Sequence, residues 1–149
     1  VTQTCDFLAP RYKYANRDLL IAAAMLHDAG KVMELSDFPV NDYTDEGQLL
    51  GHIYIGAQLV SETAAQIDGF PEELKYLLQH CILSHHGEYE FGSPKLPSIL
   101  EAFLLHEADN MDAKAQMIIE MLDADSTQGS WVGYNRMLQR NIRKSDFEK

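Results

Sequence analysis

Residues 17–31 read RDLLIAAAMLHDAGK, and this stretch decides the fold. Ala and Leu dominate its first ten positions, which predicts a helix from Arg17 to Leu26, and Gly30 marks a stop just past the end of that helix. His27 and Asp28 follow the apolar segment directly, so both side chains are expected in a buried position. Because burying an unpaired carboxylate is costly, Asp28 needs a cation or several hydrogen-bond donors there.

The rest of the chain also follows a helical pattern. Over residues 45–67 apolar side chains recur every three or four positions, which predicts a helix with one face towards a core. Residues 71–84 form a third predicted helix that begins with proline. Ser98 and Glu101 match a capping box at the start of a fourth helix, whose apolar stripe runs to Leu122. No segment shows convincing period-two alternation, and the sequence therefore predicts an all-α fold.

Length and composition restrict the class of protein. The chain has 149 residues, the usual size of one domain, and 46% of them are hydrophobic, which excludes disordered and fibrous classes. Its longest strongly apolar run, Leu19 to Leu26, is far shorter than the roughly 20 residues of a membrane span. No signal peptide opens the chain, and Cys5 and Cys81 have neither metal nor redox spacing. We therefore expect a cytoplasmic protein, and the initial valine indicates a part of a longer gene product.

The charge distribution is uneven along the chain. There are 12 basic and 23 acidic residues, so an acidic chain acting on phosphates would need cations to do so. Residues 131–149 form an uncertain basic tail, with five basic and two acidic residues. Trp131 and Tyr134 beside its arginines could stack bases and hold phosphates. The alternative is a surface helix whose arginines pair with the acidic body.

Histidine is the most informative residue type. Five of the six histidines lie in positions of interest: His27 is beside Asp28, His85 is beside His86, His106 is three residues before Asp109, and His52 is on the predicted helix 45–67. Imidazole and carboxylate groups together suit divalent metals such as Mn, Fe, Co, Ni or Zn. Singly, each has a simpler explanation: a lone helical histidine such as His52 is more often packed or at the surface, and His80 is taken as structural. Together they favour a metal centre, because several separate helix ends or faces offer His or Asp.

The motifs resemble a known family. Residues 27–31, HDAGK, match the HD-x-G-K signature of the HD-domain metal-dependent phosphohydrolases. His52, then His85 and His86, then Asp109 follow in the order of the subfamilies that bind two metals. This resemblance covers residues 17–120. The segments 43–52, 82–87, 92–95 and 108–114 resemble more narrowly the HD domain of YhaM-type 3′→5′ exoribonucleases, in which an OB-fold module precedes the HD domain.

The resemblance implies a fold and an activity. The fold would be a single helical bundle around a His/Asp metal centre, extending over residues 1–149. The activity would be that of a metal-dependent phosphodiesterase, a 3′→5′ exoribonuclease acting on RNA or other single-stranded nucleic acid. Two divalent ions would be bound, with manganese favoured over Fe, Co, Ni, Zn or Mg. Separately from the resemblance, a homo-oligomer is expected if apolar side chains that would meet an upstream helix are covered by a partner chain.

The resemblance also assigns the metal ligands. Asp28 would bridge two ions, and His27 and Asp109 would complete the first site. The second site would use His52, His85 and His86. His106 and Asp112 each lie three residues from Asp109, but only Asp109 is predicted as a ligand, with His106 packed beside or behind the site.

Two lysines are candidates for substrate binding. Lys31 resembles the family lysine that contacts the substrate phosphate, and together with Asp28 it is predicted to be catalytic. Lys95, in the Gly-Ser-Pro-Lys loop, is a second candidate phosphate contact. Its alternative is a solvated loop lysine.

One departure from the family pattern leaves alternatives open. HD domains take a first ligand from a histidine upstream of the His-Asp pair, yet no histidine precedes His27. Either the chain lacks its upstream helix, of which Val1 to Tyr14 resembles the end, or the centre has lost activity. Two other functions therefore compete with the exoribonuclease: a nucleotide phosphohydrolase acting on a mono- or dinucleotide, and a non-catalytic HD-fold regulatory module.

Overall fold

Six helices and one small hairpin account for most of residues 1–145. A computed structural model describes residues 1–145. The elements are α1 (Thr2–Leu8), α2 (Arg17–Leu26), α3 (Lys31–Glu34), α4 (Asp45–Ala64), α5 (Glu72–Ser84), α6 (Leu100–Ala124), β1 (Trp131–Asn135) and β2 (Arg140–Arg143), with short 3₁₀ turns at Ala9–Arg11 and Tyr89–Phe91. The all-α prediction is confirmed for the bundle. The chain divides into two compact units, Val1–Asp109 and Asn110–Lys149.

The first unit is built around side chains from five helices. Its core includes Cys5 of α1, Leu20 of α2, Val60 of α4, Ile82 of α5 and Leu105 of α6, all buried. These positions belong to the apolar stripes that the sequence predicts, and their burial supplies the main driving force for folding. Among residues 1–145, no helix combines the length and apolar character needed to cross a membrane.

Two helix starts are capped locally, whereas the cap predicted for a third does not form. The Asn16 side chain accepts a hydrogen bond from the Leu19 backbone N–H and so caps α2, and Thr44 caps α4 in the same way. The predicted capping box at α6 is wrong. The Ser98 hydroxyl donates to the Leu96 carbonyl oxygen, and the Glu101 carboxylate accepts from the Asn16 backbone N–H instead. A long-range donor has taken the acceptor that a capping box would use.

Gly30 allows two backbone segments to touch. The helix α2 ends at Leu26, before Gly30, and the φ of Gly30, −62°, is right-handed, so this glycine is not required by a left-handed conformation. A Cβ at this position would overlap the carbonyl oxygen of His52 and would lie 2.8 Å from the backbone nitrogen of Gly56. A glycine is therefore required by the close approach of α4, and this contact places His52 beside the His27–Asp28 pair.

Gly30→Ala is expected to destabilise the chain, because the added methyl group has no space and its neighbours are backbone atoms. Overpacking of this kind typically costs about 1–3 kcal/mol. The measurement is the midpoint of denaturant unfolding. Gly129→Ala is the matched control, since a Cβ at Gly129 would meet nothing within 4 Å. Equal midpoints for the two variants would contradict the close approach.

The second unit contains a hairpin where the sequence predicts a tail. Strands β1 and β2 pair in antiparallel fashion, so the alternative of a surface helix is wrong for the described part of residues 131–149. Residues 146–149 of the predicted tail lie outside the described residues. Period-two alternation is hidden here because the register shifts between Trp131 and Gly133.

Candidate metal centre

The structure brings six predicted ligand residues to one place in the first unit. They are His27, Asp28, His52, His85, His86 and Asp109. The Asp28 carboxylate lies at the middle of the group: its Oδ1 is 3.6 Å from His52 Nε2 and 3.8 Å from His85 Nε2, and its Oδ2 is 3.5 Å from His27 Nε2. Asp109 Oδ1 lies 3.5 Å from His27 Nε2. Their assignment as ligands remains a prediction.

Three imidazoles form one side of this cluster. His52, His85 and His86 each offer a ligand atom, and these atoms lie within 4.8 Å of one another. The ring centroids of His85 and His86 are 4.4 Å apart, and those of His52 and His86 are 5.3 Å apart. The three rings could therefore share one ion.

Helix ends and one kink position these side chains. His27 and Asp28 follow the last turn of α2, and His85 and His86 follow α5. His52 lies inside α4 directly after Gly51, whose φ of 73° interrupts the helix. Positive φ is accessible to glycine at little cost, so the kink changes the direction of the backbone at His52.

Each of the four imidazoles in the cluster is held through its Nδ1 atom. His27 Nδ1 lies 2.9 Å from the Ala24 carbonyl oxygen, His85 Nδ1 lies 2.7 Å from that of Ile82, and His86 Nδ1 lies 2.8 Å from that of Phe91. His52 Nδ1 lies 3.1 Å from a carboxylate oxygen of Glu34. Since carbonyl and carboxylate oxygens accept hydrogen bonds, Nδ1 carries the proton and Nε2 is left as the ligand atom.

Glu34 is a residue of this cluster that the sequence does not point to. Its buried carboxylate accepts two hydrogen bonds from His52, from the backbone N–H at 2.9 Å and from Nδ1 at 3.1 Å. Burial raises the pKa of Glu34, but these hydrogen bonds outweigh it, and the pKa lies below its usual range. A carboxylate behind a ligand histidine orients the ring and raises its basicity. The only signal in the sequence is an acidic residue in the short α3, three positions after Lys31.

Burial and hydrogen bonding also set the charges in the cluster. Burial lowers the pKa of His85 to about 4, so this ring is neutral at physiological pH. The neighbouring His27 imidazole is the main cause that lowers the pKa of Asp109. Burial raises the pKa of Asp28, but the hydrogen bond from Lys31 and nearby charges outweigh it and lower the pKa. The cluster therefore combines ionised carboxylates with a neutral imidazole, the forms that bind metal.

Two buried polar atoms in the cluster have no hydrogen-bond partner among the described residues. They are Asp28 Oδ1 and His52 Nε2. Leaving such atoms unsatisfied costs about 1–3 kcal/mol each. A divalent cation between them would satisfy both, and the mixed nitrogen and oxygen donor set suits Mn, Fe, Co, Ni or Zn. The residues present therefore fit a metal centre.

The two candidate lysines lie in different places. Lys31 Nζ donates to Asp28 Oδ2 at 2.7 Å, at the edge of the cluster. Lys95 lines a surface groove together with Tyr76, His80 and Ser98. In that groove, His80 Nε2 accepts a hydrogen bond from the Ser98 backbone N–H. A role in substrate binding remains a prediction for both lysines.

His106 lies behind the cluster. Its Nδ1 donates to the His85 carbonyl oxygen at 2.9 Å, and its ring fills the space that a Cβ at Gly87 would enter. This position agrees with a packing residue that supports His85, although that role is a prediction. Asp112 belongs to the second unit.

Comparison with known proteins assigns the chain to a protein family. The chain belongs to the HD domain family, whose model matches residues 1–114. It is also similar to curated proteins called 3'-5' exoribonuclease YhaM. The protein from Geobacillus sp. (strain WCH70) is 50% identical over 112 residues, which are 75% of this chain and 34% of that protein.

Other relatives give the same result. The protein of that name from Bacillus subtilis (strain 168) is 48% identical over 116 residues, 78% of this chain and 37% of that protein. The one from Listeria innocua is 47% identical over 115 residues, 77% of this chain and 36% of that protein. The chain thus spans about a third of the length of these relatives. No solved structure shows a significant match.

Proposed function

We propose that the chain is the catalytic HD domain of a metal-dependent 3′→5′ exoribonuclease. The observation that carries this proposal is the buried, unpaired Asp28 Oδ1, which faces His52 Nε2 at 3.6 Å and His85 Nε2 at 3.8 Å. A carboxylate oxygen among imidazole nitrogens, without a hydrogen-bond donor, is suited to a cation. The exoribonuclease activity follows from the names of the relatives.

Two ions would be held by six side chains. His27, Asp28 and Asp109 would hold the first ion, and Asp28 would be shared with a second ion held by His52, His85 and His86. When bound, such ions make water more acidic and neutralise charge on phosphoryl oxygens. Manganese is the proposed metal.

The chain's own residues prepare the site for a phosphodiester. Lys31 neutralises the outer oxygen of Asp28 and lies half-exposed at the edge of the cluster, where its ammonium group can also contact a substrate phosphate. The backbone carbonyl groups behind His27, His85 and His86 fix the ring orientations before substrate binds. A prearranged site of this kind spends little free energy on reorganisation during the reaction. Lys95, a homo-oligomer and a cytoplasmic location remain further predictions.

A labelled RNA distinguishes the proposed activity from its rivals. With RNA labelled at the 5′ end and manganese present, we expect a ladder of labelled products that shorten progressively from the 3′ end. RNA with a blocked 3′ end is the control and should persist. Rapid hydrolysis of mono- or dinucleotides without degradation of RNA would instead indicate a nucleotide phosphohydrolase. Absence of both bound metal and hydrolysis would indicate a non-catalytic module.

A further inference from the structure

The hairpin presents two aromatic rings on the same face. In a regular strand, side chains three positions apart point to opposite faces, so Trp131 and Tyr134 would be separated. Here Trp131 pairs with Arg143 and Tyr134 pairs with Asn141, because the register shifts between Trp131 and Gly133. Arg143 and Asn141 are two positions apart on β2 and share a face. Their partners Trp131 and Tyr134 therefore share it too.

The other face of the hairpin packs against α6. Ile142 is buried, and the Asn135 side-chain amide donates to the sulfur of Met121 at 3.1 Å. The outer face carries Trp131, Tyr134, Asn141 and Arg143, and we call it the hairpin platform. Each of its two rings is 59% exposed. The bulge thus places two large aromatic surfaces side by side in solvent.

The hairpin is also positively charged within an acidic chain. Residues 131–145 contain three arginines and one lysine but no acidic residue, whereas the whole chain has a net charge of −11. Lys144 is engaged at the base of the hairpin, where it pairs with Asp125 and donates to the Thr127 carbonyl oxygen at 3.0 Å. On the platform itself, the Arg143 guanidinium group donates to the Lys144 carbonyl oxygen at 2.9 Å and adds positive charge to this face.

We propose that the hairpin platform binds single-stranded RNA, with two bases stacked on Trp131 and Tyr134 and a phosphate near Arg143. Base stacking on exposed aromatic rings combined with positive charge is how single strands are bound without sequence preference. A face of four side chains is small beside the roughly 800 Å² per partner of a stable protein interface. The platform lies outside residues 1–114, which the HD family model matches. The choice of RNA rests on the proposed function.

Trp131 is the chain's only tryptophan, so its fluorescence reports on the platform directly. In EDTA, which prevents hydrolysis, we expect an oligoadenylate of about 12 nucleotides, within the site sizes of single-strand binders, to quench the emission of the full chain. Adenosine monophosphate at the same nucleotide concentration should quench far less, because it cannot occupy both rings at once. No quenching by the oligonucleotide would overturn the proposal.

Variants test which side chains carry the binding. By fluorescence anisotropy of a labelled oligonucleotide, Trp131→Ala and Tyr134→Ala are each expected to weaken binding roughly tenfold, and Trp131→Phe much less. Arg143→Gln should reduce the salt dependence of binding. The matched control is Met137→Ala, because Met137 is 77% exposed in the same hairpin but carries neither a ring nor a charge. If the double variant Trp131→Ala/Tyr134→Ala, which lacks both rings, binds the oligonucleotide with the parental affinity, the proposal is overturned and a protein partner is left as the occupant of the platform.

Hydrolysis assays separate this proposal from the proposed function. The variant lacking both rings should hydrolyse the small diester bis(p-nitrophenyl) phosphate like the parent chain while degrading RNA more slowly. Equal loss on both substrates would overturn the platform, because it would indicate general damage. If RNA quenches the Trp131 fluorescence in EDTA but the chain does not degrade RNA when manganese is present, the proposed function is refuted while the platform remains supported.

Discussion

Asp28→Asn is expected to abolish hydrolysis and to remove bound metal. The Asp28 carboxylate faces His27 through one oxygen and His52 and His85 through the other, so it joins both halves of the proposed centre. Asparagine preserves the shape but removes the charge and one of the two acceptor oxygens. We expect the rate of hydrolysis to fall by more than about a thousandfold. This loss is larger than the usual effect of removing one hydrogen-bond donor to the transition state.

Metal content and thermal unfolding make this prediction independent of the substrate. Manganese should raise the unfolding temperature of the parent chain, because a ligand that binds only the folded state stabilises it, and should leave that of Asp28→Asn unchanged. Asp18→Asn is the control, since the Asp18 side chain is 95% exposed and lies in the first turn of α2. Parental metal content in Asp28→Asn would show that the carboxylate is no ligand.

Glu34→Gln is expected to weaken metal binding roughly ten- to a hundredfold, the usual effect of removing an outer partner of a ligand. The Glu34 carboxylate accepts both the backbone N–H and the Nδ1–H of His52. Glutamine keeps an acceptor oxygen but loses the negative charge that makes the imidazole a better donor to the ion. The affinity is measured by titrating metal into the metal-free chain.

Rescue by metal distinguishes Glu34 from Asp28. Activity of Glu34→Gln should recover at high manganese concentration because all direct ligands remain, whereas activity of Asp28→Asn should not. Glu46→Gln, at an exposed position of the first turn of α4, is the matched control and should behave like the parent. If Glu34→Gln binds manganese with the parental affinity, the carboxylate only packs against His52.

Much of the bundle and of the centre could be predicted from local patterns. Apolar residues at helical spacing predict α2, α4, α5 and α6, because one face of each helix must be buried. The candidate ligands follow from the resemblance of residues 27–31 to the HD signature and from the order of the later His and Asp residues along the chain. The structure brings all six together, although His27 and Asp109 are far apart in the chain.

Other parts of the site depend on contacts that no local pattern contains. Glu34 follows the signature by only a few residues, yet its importance comes from the approach of α4, which brings His52 within hydrogen-bond distance. The same approach explains why position 30 is glycine. Glu101 fails as a capping residue for a similar reason, because Asn16 reaches it from a distant part of the chain.

The sequence by itself determined the helical bundle, the HD family and the set of side chains available for metal, because helix periodicity and ligand chemistry are local properties. Only the tertiary structure decided which atoms meet: Asp28 Oδ1 beside His52 Nε2, Glu34 behind His52, and Trp131 beside Tyr134. The last of these depends on a bulge, which shifts the register by one residue and so turns a side chain to the opposite face. Distances between residues far apart in the chain are set by packing, and packing is a property of the whole fold.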